Sequence, residues 1–261
     1  MAILWCDGEW QREEDFSVSS RDRSLLHGLA AFETMLAVDG VIQHAARHRR
    51  RMARAVDALG LADVSGLDWE RVAAQLCEKN GLGRGRARLR LTVTAGEGAL
   101  AEPGPGAGAM VWMTAQPLPE MASSCRIVTL PWVRNERSAL VGMKTTSYAE
   151  NLLGLQWARA RGAEEGIFFN TRDELCEACT ANVFVKIKGH WYTPPVSSGC
   201  LPGVMREVIL ERDASIKESV ITRAEWDVAE EIFLTSAIRG KVRVVQRDER
   251  MLRSEASLDD W

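Results

Sequence analysis

Between Ala45 and Leu59, apolar side chains recur at Met52, Val56 and Leu59, a spacing that gathers them on one face of a helix, and Gly60 supplies a stop. Trp69–Lys79 repeats the pattern with Val72, Leu76 and Cys77; Asp68 stands where an N-cap belongs and Gly81 follows. At Arg86–Thr94 the period changes to two (Arg, Ala, Arg, Leu, Arg, Leu, Thr, Val, Thr), which predicts a half-buried strand whose polar face is placed to line a pocket. Strands are also predicted at Ile3–Cys6 and 32–38, with Asp39-Gly40 as a tight hairpin turn before Val41-Ile42. The Gly-, Pro- and Ala-rich stretch 96–108 reads as a loop before a strand at 110–114. It is no dinucleotide fingerprint, because a strand follows it and prolines interrupt it. Beyond the two prolines of Gln116-Pro117-Leu118-Pro119, which disfavour regular structure, the pattern predicts a strand at 126–130, a helix at 148–161 and a strand at 166–170. Strands then follow around 177–188 and 191–193, a helix at Val204–Arg212, and strands near 231–234 and 242–245. The mixture is that of an α/β (α+β) protein without internal repeats.

Composition narrows the class. A chain of 261 residues with 46% hydrophobic content can bury a sizeable core in one large or two smaller domains. The net charge of −3 argues against nucleic-acid binding, although five arginines stand between 47 and 54, where most are expected to form a solvated helix face. Six cysteines, at 6, 77, 125, 176, 179 and 200, form no dense framework, and no leader segment is evident, so reduced thiols in a cytoplasmic enzyme are expected. No apolar run approaches the roughly 20 residues that a membrane helix needs.

Two charged residues stand out against their surroundings. Lys144 lies in the otherwise uncharged run Leu140-Val141-Gly142-Met143-Lys144-Thr145-Thr146-Ser147-Tyr148, and Glu177 lies in a strand-like stretch at 175–184. A desolvated lysine has a lowered pKa and can form a Schiff base with an aldehyde cofactor. A buried acid can hold a cofactor ring nitrogen protonated, making the ring an electron sink. The pairing points to pyridoxal phosphate, although a lone lysine is more often a surface charge. Cys176-x-x-Cys179 has no second ligand pair, so packing residues rather than a metal site are expected there.

The chain resembles the fold-type IV pyridoxal-phosphate enzymes, the class IV aminotransferase family, on pieces that occur in that family's order. These are Ser20-Arg21-Asp22-Arg23-Ser24-Leu25-Leu26-His27-Gly28, Phe32-Glu33-Thr34, His48 with Arg51, Gly142-Met143-Lys144, Glu177, Ala181-Asn182-Val183-Phe184, Leu201-Pro202-Gly203-Val204-Met205-Arg206 and Phe233-Leu234-Thr235-Ser236-Ala237. The resemblance implies a two-domain fold like that of D-amino-acid aminotransferases, with a small N-terminal domain at 1–115, a linker at 116–122 and a larger C-terminal domain at 123–261 carrying the lysine. It implies Lys144 as Schiff-base lysine and acid/base, Glu177 against the ring nitrogen, and Arg51 on the cofactor phosphate. Backbone amides of Gly203, Val204 and Met205, with Ser236 and Ala237, would complete a phosphate cup. A homodimer is the family's usual assembly.

For the reaction, Phe-Glu-Thr followed by Met35 and the short chain look like the 4-amino-4-deoxychorismate lyases. In that chemistry Lys144 would remove a ring proton, pyruvate would leave, 4-aminobenzoate would remain, and Thr34 would touch the substrate. Ala95 departs from an arginine that many lyases and D-amino-acid enzymes share. Arg90 matches an arginine of the branched-chain subgroup instead, with Arg88 or Arg239 as alternatives, and Tyr148 resembles a residue of the same subgroup. The lyase is the expected activity, an aminotransferase for branched-chain L- or for D-amino acids the alternative, and a non-catalytic cofactor binder a third reading.

Overall fold

In the computed structural model, which describes residues 1–252, the chain divides into two compact units. One comprises Met1–Glu120 with the returning segment Met143–Tyr148; the other comprises Met121–Gly142 and the chain from Ala149 onward.

The first unit runs β1 (Ile3–Cys6), β2 (Glu9–Arg12), α1 (Arg23–His27), β3 (Ala30–Val38), β4 (Val41–Ile42), α2 (Ala45–Leu59), α3 (Trp69–Lys79), β5 (Arg86–Thr94) and β6 (Val111–Pro117). Its strands form one antiparallel sheet in the order β2-β1-β6-β5-β3-β4. Asp39 and Gly40 both take left-handed backbone, at φ 49° and 78°, which is the geometry a two-residue hairpin between β3 and β4 requires. Asp68 caps α3 by accepting from the Arg71 amide, and α2 ends on Gly60 in the left-handed region. Met35 stands opposite Leu89 and Leu89 opposite Ala115. Because side chains alternate along a strand, these residues share one face with Ala37, Leu91 and Met113. Against that face pack Met52 and Val56 of α2 and Trp69, Val72 and Leu76 of α3, forming the unit's core.

The second unit runs β7 (Ser124–Arg134), α4 (Ala149–Arg159), β8 (Glu165–Asn170), β9 (Leu175–Ala178), β10 (Asn182–Ile187), β11 (His190–Thr193), α5 (Val204–Arg212), β12 (Lys217–Glu218), α6 (Arg223–Asp227), β13 (Glu231–Ser236), β14 (Gly240–Arg247) and β15 (Arg250–Met251). These make a mixed sheet in the order β12-β11-β10-β13-β14-β7-β8-β9, with β15 on β14. Ile167, Val183, Val185, Ile232 and Leu234 fill its main core with Trp226 of α6.

Three local readings change. Gln116 and Pro117 complete β6 rather than opening a linker, and the division between units falls between Glu120 and Met121. The strand-like stretch 175–184 is two strands, separated by a turn at 179–181 that Ala178 N closes by donating to Ala181 O, while Cys179 N still donates to Gly166 O of β8. The lysine segment, expected in the C-terminal domain, packs with the first unit. β4 pairs only with Ala37 and Val38, so the outer edge of β3 near its start has unpaired backbone groups that require partners. The lysine segment supplies them: Phe32 N donates to Lys144 O at 2.9 Å, Thr146 N donates to Ala30 O at 3.0 Å, and Ala31 bridges Thr145.

Candidate active site

Backbone pairing at Lys144 fixes where its side chain starts, and an aromatic ring fixes where it goes. Lys144 Nζ lies 4.4 Å from the Phe32 ring centroid and 5.5 Å from that of Tyr148, and the two rings meet edge to face at 5.6 Å. The Arg90 guanidinium lies 3.7 Å from the same Phe32 centroid, and its Nε donates to Thr92 Oγ1 at 3.3 Å. Burial, then the neighbouring Arg88 charge, pull the Arg90 pKa below its ordinary value. Thr34 stands directly opposite Arg90 in the β3–β5 register. Four residues singled out from sequence, Lys144, Tyr148, Thr34 and Arg90, are therefore gathered by one ring and one sheet face.

Arg51 lies on the other side of that sheet. Glu33 has the strand parity of Met35, so its carboxylate points into the apolar layer, where an unpaired charge would be costly. Arg51 answers it with Nε at 2.7 Å and Nη2 at 2.6 Å, and His48 Nδ1 adds a third contact at 2.7 Å. A carboxylate only accepts, so His48 carries its proton on Nδ1. Burial alone would raise the Glu33 pKa; Arg51, by charge and then by hydrogen bonds, and His48 bring it down to about 2. Two of the three Arg51 nitrogens are thus committed to Glu33, which fixes the guanidinium plane.

In the second unit Glu177 is 8% exposed. Its Oε2 accepts from Leu201 N at 2.9 Å, while Oε1 lies 3.9 Å from Arg134 Nη2. The Arg134 guanidinium lies over Phe168, 4.2 Å from the centroid, and its Nη1 is 2.8 Å from Glu150. Asn182 Nδ2 donates to Leu201 O at 2.8 Å, so one carboxylate and one amide clamp both sides of the same peptide segment. That segment leads to Gly203, the N-cap of α5, which makes no side-chain cap hydrogen bond. The amides of the α5 first turn, Val204 and Met205 among them, thus receive no side-chain cap from Gly203, and helix-start amides suit an anion. Ser236 and Ala237 stand at the β13–β14 turn, where Ser236 Oγ accepts from Arg239 N at 3.4 Å. Arg239 Nη2 donates to the buried Glu165 and to Thr180 Oγ1.

Cys176 and Cys179 are both 1% exposed and pack with Leu130, Phe168 and Cys200. Burial is the main cause that pushes the thiol pKa values of Cys179 and Cys200 up to about 12 and that of Cys176 higher still.

Glu33, Asn182 and Arg134 are partners that the sequence reading did not assign. Glu33 had a signal, an acid on the apolar parity of its strand; the other two are recognisable only from the residues they meet. Taken by itself, the first unit offers an amine and cations; the second, by itself, offers a buried acid and helix-start amides.

Comparison with known proteins gives the family. The family model described as amino-transferase class IV matches residues 30–246. A Methanocaldococcus jannaschii protein, provisionally named branched-chain-amino-acid aminotransferase, is 25% identical over 260 residues, covering 97% of this chain and 90% of its own. A crystal structure from Legionella pneumophila, provisionally named 4-amino-4-deoxychorismate lyase, aligns with a TM-score of 0.86 at 25% identity, over 94% of this chain and 92% of that one. The branched-chain aminotransferase of Thermoproteus uzoniensis aligns with a TM-score of 0.90 at 24% identity, over 98% and 90%.

Proposed function

The chain belongs to the class IV aminotransferases, enzymes that use pyridoxal phosphate, and from that premise we propose that it is a 4-amino-4-deoxychorismate lyase. The supporting observation is the pairing of Thr34 with Arg90 beside Lys144 on a face that offers an acidic substrate cations and hydroxyls. The Legionella structure, which covers nearly equal shares of both chains, points the same way. The reaction balances without an oxidant: a ring C–H and the ring C–O bond break, the ring becomes aromatic, and pyruvate leaves.

When bound, pyridoxal phosphate supplies an electron sink for the carbon attached to the substrate nitrogen. The protein's own groups divide the remaining work. Lys144 Nζ holds the cofactor in the resting enzyme, then takes the proton from the carbon next to the nitrogen. Its perch on Phe32 and Tyr148 restricts the ammonium to one small region. Glu177, aimed by the Leu201 amide, would hold the ring nitrogen in its protonated form. The α5 amides and Ser236 bind phosphate, with Arg51 supplying a cation whose plane Glu33 sets. Arg90 and Thr34 orient the substrate carboxylate.

Amino transfer is the second reading. It is favoured by the match of Arg90 to the branched-chain subgroup and by the curated relatives, which include aminotransferases. For assembly we propose a homodimer: Leu25 and Leu26 in the first unit and Trp132, Val133, Leu152 and Leu153 in the second are exposed apolar side chains of the kind a partner copy covers. No helix among the described residues is long and apolar enough to cross a membrane, and six buried free thiols suit the reducing cytoplasm.

The test is product analysis of purified holoenzyme given aminodeoxychorismate, or an amino acid with a 2-oxo acid. Pyruvate and 4-aminobenzoate formed together establish the lyase; amino transfer without them establishes the second reading. Lys144→Ala should fold, lose turnover and lose the cofactor attachment that borohydride fixes in the wild type. Normal turnover in that variant would overturn the assignment.

A further inference from the structure

The face of the first unit's sheet that points away from α2 and α3 can be read as three rows from the β3–β5–β6 register: Phe32, Thr92 and Trp112; Thr34, Arg90 and Thr114; Leu36, Arg88 and Gln116. These nine positions hold two arginines and no acid. Neither arginine has a carboxylate within ion-pair reach among the described residues. The Arg90 guanidinium lies over the Phe32 ring and donates to Thr92. Arg88 donates to the amide oxygen of Gln116, which orients the guanidinium without neutralising it. The two residues are next neighbours on one face, with Cα atoms about 7 Å apart at strand spacing. Their like charges oppose each other, and Arg88 is one of the causes that lower the Arg90 pKa. A single carboxylate is matched by one guanidinium fork. Two forks in line, the nearer sharing the Phe32 ring with Lys144, match a molecule with carboxylates at two places.

We propose that Arg88 and Arg90 together select a dicarboxylate substrate, with Arg90 on the carboxylate nearer Lys144 and Arg88 on the distal one. This rests on the active-site reading above and adds a specificity role for Arg88. It applies whichever of the two reactions occurs, since a lyase substrate with two carboxylates and a dicarboxylic amino acid or oxo acid meet the same requirement. A branched-chain substrate, which has one carboxylate, would leave Arg88 unused.

Calorimetric titration of the holoenzyme with succinate and with propionate tests this. The wild type should bind succinate at least tenfold tighter, and the margin should shrink as salt is raised. Arg88→Gln should bring the two affinities within about twofold of each other while leaving propionate binding unchanged, and Arg88→Lys should keep most of the margin. Equal wild-type affinities, a margin that survives Arg88→Gln, or an Arg88→Lys variant as poor as Arg88→Gln would each overturn the proposal. Borohydride fixation of the cofactor at Lys144 in the same preparations checks the underlying reading separately. Fixation with an unchanged margin sinks the Arg88 role alone; absent fixation sinks the reading on which it rests.

Discussion

Replacing Glu33 by glutamine removes one charge from the apolar layer of the first unit and leaves Arg51 buried without its counter-charge. Both partners are almost solvent-free, with Arg51 7% exposed and Glu33 0%. Glutamine keeps the shape and one acceptor oxygen, so the loss is electrostatic rather than a packing defect. Breaking a buried pair from one side costs about 3–5 kcal/mol. The pH linkage gives a similar figure: a carboxyl lowered from 4.5 to about 2 contributes about 3 kcal/mol at roughly 1.4 kcal/mol per pKa unit. Either value is a large part of the ~5–15 kcal/mol that typically separates folded from unfolded states.

The sign of the pH dependence makes the test specific. The folded pKa lies below the unfolded one, so the stabilisation is complete above about 4.5 and fades as pH falls toward about 2. Urea denaturation of wild type and Glu33→Gln at several pH values between 7 and 3 should show the largest difference at pH 7 and a smaller one at pH 3. Contributions from the other carboxylates cancel in the difference. A gap below about 1 kcal/mol at pH 7, or one that stays constant down to pH 3, would refute the claim that Glu33 is an ionised, guanidinium-paired group in the core.

Three further outcomes follow from packing and burial. Gly203→Ala would drive a methyl into Asn182 Oδ1, forcing Asn182 to release Leu201 O; a loss of about 1–3 kcal/mol with weaker cofactor binding is expected, and an unchanged melting temperature and affinity would contradict it. Arg23, 1% exposed, donates to the carbonyls of Ala95, Gly96, Glu102 and Gly104, so Arg23→Met should open that loop to limited proteolysis between 97 and 107, whereas a cleavage pattern identical to wild type would show that the loop holds itself. The native thiols should resist a disulfide reagent at pH 8 and all react in denaturant; rapid modification of Cys176 or Cys200 in the native protein would contradict their raised pKa values.

Most elements with a clear hydrophobic period were legible in the sequence. The bounds of α2, α3 and β5 match the predicted ones because each carries its own stop or cap, or its own alternation, and those of α5 match as well. Parts that depend on distant partners were not. Nothing in residues 140–148 announces that their backbone completes the free edge of β3, since that edge exists only because β4 stops at two residues. The turn inside 175–184 is likewise hidden, because it is closed by backbone groups, Ala178 N donating to Ala181 O, that any residue carries.

The candidate site divides along the same line. Lys144, Glu177 and Gly203 were found as residue types in order, but their geometry comes from Phe32, Arg134 and Asn182, each of which reads locally as an ordinary strand residue. Arg51 shows how far such a reading extends. Its spacing from His48 selected it among five arginines, yet spacing gives no hint that Glu33 claims two of its nitrogens. Strand parity does: an acid in register with Met35 and Ala37 must face the core, and a buried acid requires a cation on the covering helix. Arg51 and His48 are the buried polar residues of α2, so the pair follows once the register is known. The same parity puts Arg88 and Arg90 together on the opposite face, where the facing positions of β3 and β6 offer them hydroxyls, an amide and a leucine but no acid.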